Sequence, residues 1–303
     1  MSTVYDQQGF YDDLVKHGFI VPTGVKGAYG RGADFEDIVE RFNSLVSRTA
    51  KDDGAETFLF PPIVPRTLIE KVGYMDNFPH LSGSLNSFFG TDKEALGLSA
   101  KVHAGERWED MLSPTDVMLT PAACYPVYPM FSGLLPGKGR LVTVLGWVYR
   151  HEPSDEPTRL QAFRMREFIR VGTTDQVVEW RNAWLERGLA LMRTLGLPVA
   201  SDVASDPFFG RAGKMMAASQ RDQRLKFEIL CPVISEENPT AICSFNWHQD
   251  HFSGTFGIRD ADGEIASTAC LGFGLERVTL ALIKHHGFDL AAWPASVRKL
   301  LWP

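Results

Sequence analysis

The chain has 303 residues, enough to bury one large core, and its 44% hydrophobic and 22% charged residues are typical of a globular protein. A net charge of −6 without a lysine or arginine run argues against a broad nucleic-acid-binding surface. No apolar run is long enough to span a membrane, the N-terminus MSTVYDQQGF lacks the features of a signal peptide, and the four cysteines lack disulfide-framework spacing. We therefore expect a cytoplasmic protein.

The predicted elements alternate between long helices and short strands. Apolar residues at helical spacing predict the helices, and β-prone runs bounded by proline or glycine predict the strands. The first helix is expected to close at Gly54, and the second is stopped by Gly196 and Pro198. The predicted elements are, in order, a helix over about 34–50, a strand over 57–60, a hairpin between 141 and 171, a helix from about 180 to 195, and strands over 226–230 and 241–245.

The predicted hairpin contains several candidate binding residues. A strand-like run over 141–149 leads into Arg150, His151 and Glu152, and a polar loop over 153–158 connects to a second run. Arginine clamps phosphates and carboxylates through its planar fork. Since Arg150 and Glu152 are two residues apart, we expect them on one strand face, with Phe163 offering a flat apolar surface to a base. An ordinary charged hairpin explains this stretch equally well.

A second motif decides between these interpretations. The hairpin resembles motif 2 of class II aminoacyl-tRNA synthetases, and ACLGFGLER, over 269–277, resembles motif 3, a glycine-rich strand end that runs into a helix. The two motifs occur in the family's order. The resemblance implies an α+β fold with a mostly antiparallel sheet flanked by helices.

The resemblance also implies roles for individual residues. Arg150 would bridge the substrate carboxylate and the α-phosphate of ATP, and Phe163 would stack on adenine with Glu152 beside it. Arg159 and Arg277 would neutralise the β- and γ-phosphates, so that catalysis is positioning plus charge stabilisation. The further candidates for nucleotide contact are Lys226 and Ser244, and Glu228 is a candidate for the Mg²⁺ that accompanies ATP.

Several stretches resemble the seryl-type branch of this family. Motif 1 is resembled by the predicted helix over about 34–50, the strand over 57–60 and the prolines after it, and this resemblance implies a homodimer. The stretch ETFLFPPIVPRTLIEKVGYMDNFPHL resembles the corresponding stretch of seryl-tRNA synthetases. The run 113–120 resembles the amino-acid pocket segment and makes Asp116 a substrate-binding candidate. Motif 1 begins near residue 34, and few residues come after motif 3. We therefore expect residues 1–303 to form a single catalytic domain without a tRNA-binding domain.

Three residues beside the assigned segments form a candidate metal set. Cys124 follows the pocket segment, Glu167 lies at the end of motif 2, and Cys270 precedes the motif 3 glycines. Two thiolates and a carboxylate suit zinc and leave one coordination position for substrate. Buried cysteines are more often small apolar residues, and spacing alone leaves both interpretations open. Cys231 and Cys243, in apolar strands, are assigned to the apolar interpretation.

The zinc triad on a seryl-type core resembles methanogenic seryl-tRNA synthetases and their stand-alone relatives, the amino acid:[carrier protein] ligases. This resemblance implies ATP-dependent activation of glycine or alanine and transfer to the phosphopantetheine thiol of a small carrier protein. Zinc on Cys124, Glu167 and Cys270 would bind the substrate amino group. Two alternatives remain, a truncated tRNA-charging synthetase and a non-catalytic paralogue that regulates a partner; the retention of Arg150 and Arg277 argues against the latter.

Overall fold

The computed structural model describes residues 7–303. Residues 1–6, the first part of the N-terminal stretch MSTVYDQQGF, lie outside the described range. No helix in this described range is long and apolar enough to cross a membrane. The helices are α1 Gln7–Lys16, α2 Ala33–Thr49, α3 Arg66–Lys71, α4 Tyr74–Asn77, α5 Asp92–Ala104, α6 Thr174–Thr194, α7 Gly210–Asp222, α8 His251–Phe256, α9 Leu275–His286 and α10 Ala295–Leu301. The strands are β1 Ile20–Val25, β2 Ala28–Arg31, β3 Glu56–Phe58, β4 Ile63–Pro65, β5 Ser84–Ser87, β6 Ser113–Leu119, β7 Gly133–Leu134, β8 Arg140–Tyr149, β9 Ala162–Gly172, β10 Ala200–Val203, β11 Lys226–Cys231, β12 Thr240–Gln249, β13 Ile258–Arg259 and β14 Ser267–Gly274.

A seven-stranded sheet in the order β10-β11-β12-β14-β9-β8-β3 forms the centre of the fold. Every neighbouring pair in it is antiparallel except β3 and β8, which run parallel. A separate three-stranded sheet, β4-β6-β5, contains the predicted pocket segment. The predicted α+β class with a mostly antiparallel sheet is confirmed.

One face of the central sheet is apolar and packs against α6. Trp184 of α6 stacks on Phe168 at a centroid distance of 5.3 Å and meets Phe273 edge-on at 6.3 Å. Gly188 of α6 lies so close to Phe245 that an added Cβ would be 2.8 Å from its ring. Burying each of these aromatic side chains contributes roughly 1.5–3 kcal/mol, which fixes the sheet against the helix.

The opposite face, here called the ligand face, carries the polar residues. Directly paired residues share a face, and so do residues two apart along one strand. The pairs Glu167 with Gly272, Asn246 with Cys270, and Glu228 with Ser244 therefore lie on one side. The ligand face consists of Phe163, Met165, Glu167, Lys226, Glu228, Ser244, Asn246, Cys270 and Gly272.

Two details of the predicted elements are wrong. Helix α2 ends at Thr49, and Gly54, with φ +67°, instead closes a short 3₁₀ turn over Lys51–Asp53. Strand β8 ends at Tyr149, so Arg150 and Glu152 do not share a strand face. The amide of Glu152 donates to the carbonyl oxygen of Arg150 at 2.7 Å, which makes a tight turn. The period of two fails there because it holds only while the backbone stays extended.

Candidate active site

A cavity of about 490 Å³ opens over the ligand face. The segment around Cys124, helix α8 and residues of α7 with its preceding loop enclose it. Gly272 lies on the ligand face under the cavity, and an added Cβ there would be 2.5 Å from the Met165 Cε. The absence of a side chain at Gly272 therefore leaves room for Met165. The predicted residues that line the cavity are Cys124, Arg150, Phe163, Glu167, Lys226, Glu228, Ser244, Cys270 and Arg277.

Cys124, Glu167 and Cys270 form a buried cluster, here called the triad. One ligand atom from each lies within 4.8 Å of the others. Glu167 and Cys270 are held by the paired strands β9 and β14, whereas Cys124 comes from the segment after β6. The amide of Ala123 donates to Glu167 Oε1 at 2.9 Å, and this bond holds that segment over the sheet.

The electrostatics of the triad favour a bound cation. Burial raises the pKa of the Glu167 carboxyl to about 7, and nearby Cys270 adds to the rise. The Cys124 thiol donates a hydrogen bond that holds the pKa of Cys270 well below its ordinary value. Burying such negative charge without a cation is costly. Since two sulfur ligands and one carboxylate are typical of zinc, the donor set fits that ion.

At the other end of the cavity lie Arg150 and Arg277. The Arg277 guanidinium donates through Nε to the carbonyl oxygen of Thr158 at 2.9 Å and through Nη1 to that of Ala241 at 3.0 Å. The Arg150 guanidinium lies 5.6 Å from the centroid of the Phe163 ring. Burial lowers the pKa of Arg277, and the positive charge of Arg150 lowers it further. Cations that repel one another in a cavity are stabilised by an anion between them.

Three predicted residues lie outside the cavity lining. Glu152 and Arg159 are on the loop between β8 and β9, and their side chains approach each other to 3.6 Å. Arg159 also pairs with Glu156 at 3.2 Å and is 53% exposed, although its charge still lowers the pKa of Arg277. Asp116 is exposed on β6. The structure does not bring Asp116 into the cavity lining, and its substrate-binding role stays a prediction.

Lys226 lines the cavity but is engaged by two carboxylates. Its ammonium lies 2.7 Å from Asp206 and 3.0 Å from Glu228. Gln220 of α7 completes the arrangement by donating to Asp206 at 2.8 Å. Asp206 was not predicted, because a lone aspartate in an irregular segment carries no pattern. These contacts hold the loop before α7 and the helix itself against the cavity.

Sequence reasoning also missed an ion network behind the two motifs. Glu276, fully buried in motif 3, accepts from the Arg164 Nε at 2.8 Å and from the Arg164 backbone amide at 2.7 Å. Arg164 extends the network to Glu36 of α2 at 2.6 Å. The glutamate and arginine of the motif 3 resemblance thus have different tasks. Glu276 ties the strands and helices together, and Arg277 faces the cavity.

The sheet topology, the two motifs and the lining arginines define the class II aminoacyl-tRNA synthetase catalytic core. The Methanopyrus kandleri seryl-tRNA synthetase, solved with an Aquifex aeolicus tRNA(Sec), superposes with a TM-score of 0.82 at 20% identity, covering 99% of this chain and 61% of that one. The Pyrococcus horikoshii seryl-tRNA synthetase solved with ATP gives 0.70 at 14% identity, covering 96% and 62%. At these identities the likeness establishes the fold.

Sequence comparison narrows the class to one family. Amino acid–[acyl-carrier-protein] ligases 1 and 2 of Bradyrhizobium diazoefficiens are 47% and 46% identical over 280 residues, 92% of this chain and 86% and 84% of theirs. The chain belongs to this family. The type-2 serine–tRNA ligase of Methanococcus aeolicus is 25% identical over 95% of this chain, which spans 58% of that enzyme. No protein-family model matches the chain.

Proposed function

We propose that this protein activates a small amino acid, glycine or alanine, with ATP and transfers the aminoacyl group to the phosphopantetheine thiol of a carrier protein. The observation that carries the proposal is the cavity itself, which is lined both by the buried triad and by Arg150 and Arg277. The identity of 47% to a ligase that acts on an acyl carrier protein supports the acceptor.

In the first step the amino-acid carboxylate attacks the α-phosphorus of ATP, the bond to the β-phosphate breaks, and pyrophosphate leaves. Arg150 would bridge the carboxylate and the α-phosphate, and Arg277 would neutralise the outgoing phosphates. Two carbonyl oxygens orient Arg277 before ATP arrives, so little reorganisation is needed in the transition state. Phe163 would stack on adenine, with Glu152 and Arg159 reaching the nucleotide from the loop.

Cys124, Glu167 and Cys270 would hold a zinc ion. When bound, zinc supplies a Lewis acid that takes the substrate amine in its neutral form. Burial raises the pKa of Glu167, and the positive charge of Arg150 opposes part of that rise, so Arg150 acts on the triad electrostatically. A compact amino acid that places its amine at the triad and its carboxylate at Arg150 fits this arrangement.

In the second step the carrier thiol attacks the aminoacyl carbonyl carbon, the bond to the AMP phosphate breaks, and the thiol proton is released. The products are a thioester and AMP. The Mg²⁺ that ATP brings would bind near Glu228, which Lys226 already holds at 3.0 Å. Ser244, paired with Glu228 on the ligand face, would contact the nucleotide.

Residues 1–303 would act as one catalytic domain in a homodimer, without tRNA. Strand β3 is an edge strand of the central sheet, and Leu59, directly after it, is 79% exposed. An exposed apolar residue beside an open strand edge suits burial against a second copy. Light scattering of the purified protein tests the dimer, and Leu59→Glu should shift it towards the monomer.

The deciding experiment offers both acceptors to the same enzyme. Radiolabelled glycine or alanine, ATP and the protein are incubated with a phosphopantetheinylated carrier protein, and in parallel with total tRNA. We expect hydroxylamine-labile label on the carrier and none on a carrier that lacks phosphopantetheine. Label on tRNA alone would support a tRNA-charging enzyme, and the absence of ATP–pyrophosphate exchange would support a non-catalytic paralogue.

A further inference from the structure

A bulge in β12 directs a histidine towards the triad. Pairing with β14 sets Trp247 opposite Ala269 and then Gln249 opposite Thr268, so His248 is the extra residue between them. Gln249 adopts a φ of +55°, an unusual conformation for a residue other than glycine. Bulges turn a side chain out of the regular ladder and are frequent beside functional sites. Here the turned side chain is an imidazole.

The His248 ring bridges two side chains of β14. Its Nε2 lies 3.4 Å from the Cys270 Sγ, and its Nδ1 lies 3.2 Å from the Thr268 Oγ1. When the sulfur is a thiolate it can only accept, so Nε2 carries the hydrogen and, in the neutral ring, Nδ1 accepts from the Thr268 hydroxyl. Tyr128 and Phe252 meet the ring edge-on, at centroid distances of 6.0 and 4.9 Å, and hold its plane.

We propose that His248 is a positioning residue of the metal site, which donates from Nε2 to the Cys270 sulfur in the tautomer fixed by Thr268. The inference rests on the metal site of the proposed function. The bond fixes the direction of the sulfur lone pairs and stabilises the thiolate, the form that binds a metal, by sharing part of its negative charge. The Asn246 amide lies 3.5 Å from the same sulfur and is the longer of the two contacts. Residues that orient ligands in this way typically contribute tenfold to a hundredfold in metal affinity or activity.

The test measures the metal directly, without ATP or amino acid. Wild type, His248→Ala, His248→Gln and Thr268→Val are loaded with zinc to measure its dissociation constant by chelator competition. They are then loaded with Co²⁺ to record the sulfur-to-cobalt charge-transfer band. We expect His248→Ala to raise the zinc dissociation constant on the order of tenfold. Its band should move to lower energy, because a sulfur without the donor is more electron-rich.

The other variants separate hydrogen bonding from packing. His248→Gln keeps an amide donor and should move the band back towards wild type, and Thr268→Val should shift it in the same direction as His248→Ala but less. His251→Ala removes another histidine that lines the cavity and has no bond to Cys270, so its band should match wild type. A purely structural loss would leave the band energy of the bound cobalt unchanged.

The possible failures are distinguishable. Wild-type zinc affinity and an unshifted band in both His248→Ala and Thr268→Val would overturn the role of His248 and leave the metal site intact. A wild-type protein that takes up neither zinc nor cobalt would overturn the metal site, and this inference with it. Label transfer to the carrier by such a metal-free protein would show that the ligase activity requires neither the metal site nor His248.

Discussion

The triad end and the arginine end of the cavity are held in place by different parts of the fold. Glu167 and Cys270 project from neighbouring strands in the middle of the sheet, and all three triad residues are buried. Arg150 follows the end of β8, and Arg277 lies in the first turn of α9, the helix after β14. Both arginines bond to backbone carbonyl oxygens, and the loop that carries Arg159 and Glu152 remains partly exposed.

The difference corresponds to what each end would bind. A metal ion requires ligand atoms fixed to within a few tenths of an ångström, which paired strands provide. The triphosphate of ATP is a large, flexible polyanion, and long arginine side chains on loops and at the starts of helices are suited to binding it. We therefore expect substitutions at the triad end to remove metal and amino acid together, and substitutions at the arginine end to affect the nucleotide while the metal stays.

The largest expected effect is at the triad. Cys270→Ala removes a ligand from the sheet, so zinc should be lost and ATP–pyrophosphate exchange should fall to background. Metal analysis of protein purified without chelators, together with the exchange assay, checks both. Cys231→Ala is the control, since Cys231 is equally buried but lies outside the triad. If Cys270→Ala keeps one zinc per chain, the triad is not the metal site.

The next effect is at the arginine end. Arg150→Ala should slow pyrophosphate exchange by about a hundredfold or more, because a contact made chiefly in the transition state is worth on the order of 3 kcal/mol. Its zinc content should equal wild type, which separates the two ends. Arg170→Ala, on the same hairpin but bonded to the Lys138 carbonyl oxygen, should exchange normally. Near wild-type exchange in Arg150→Ala would remove Arg150 from the mechanism.

A smaller effect is expected for the proposed adenine contact. Phe163→Ala should raise the KM for ATP roughly fivefold, since aromatic stacking contributes about 1 kcal/mol beyond burial. The KM for the amino acid should change little, and steady-state kinetics with each substrate varied in turn compare the two. Phe163→Leu retains bulk without a ring and serves as the control. A rise confined to the KM for the amino acid would contradict the proposed contact between Phe163 and adenine.

The smallest effect concerns the segment that covers the cavity. Burial opposes ionisation of Asp206, but Lys226 and Gln220 outweigh it and lower its pKa below the ordinary value. Because folding lowers this pKa, the stabilisation is complete above about pH 5, where the unfolded carboxyl is almost fully ionised, and is lost as the pH falls further. Asp206 is 33% exposed, so screening keeps the effect near 1 kcal/mol.

Asp206→Asn tests this directly. At pH 7 the variant should have a lower free energy of unfolding than wild type by about 1 kcal/mol. The difference should shrink as the pH is lowered from 5 to 3, because the unfolded wild-type carboxyl takes up a proton in this range while the folded carboxyl, with its lowered pKa, stays ionised. Urea unfolding at several pH values measures it. A difference that stays constant over this range would mean that Asp206 acts by packing and not by its charge.

Sequence patterns predicted most of the central sheet and the residues at both ends of the cavity. The hairpin, strands β11 and β12, and helices α2 and α6 all occur near their predicted positions, since hydrophobic periodicity is a local property. Arg150 and Arg277 were predicted because motifs 2 and 3 carry them at fixed spacing. Asp116 was assigned from the resemblance of a segment, and no pattern within a segment states which way an exposed side chain faces.

The sequence by itself determined the class of protein, through motifs in which residue type and spacing carry the chemistry. Only the tertiary structure decided that Cys124, Glu167 and Cys270 meet, that Asp206 holds Lys226, and that His248 reaches Cys270. These contacts join segments far apart in the chain. Their distances depend on strand register and on one bulge, which are fixed only in the assembled sheet.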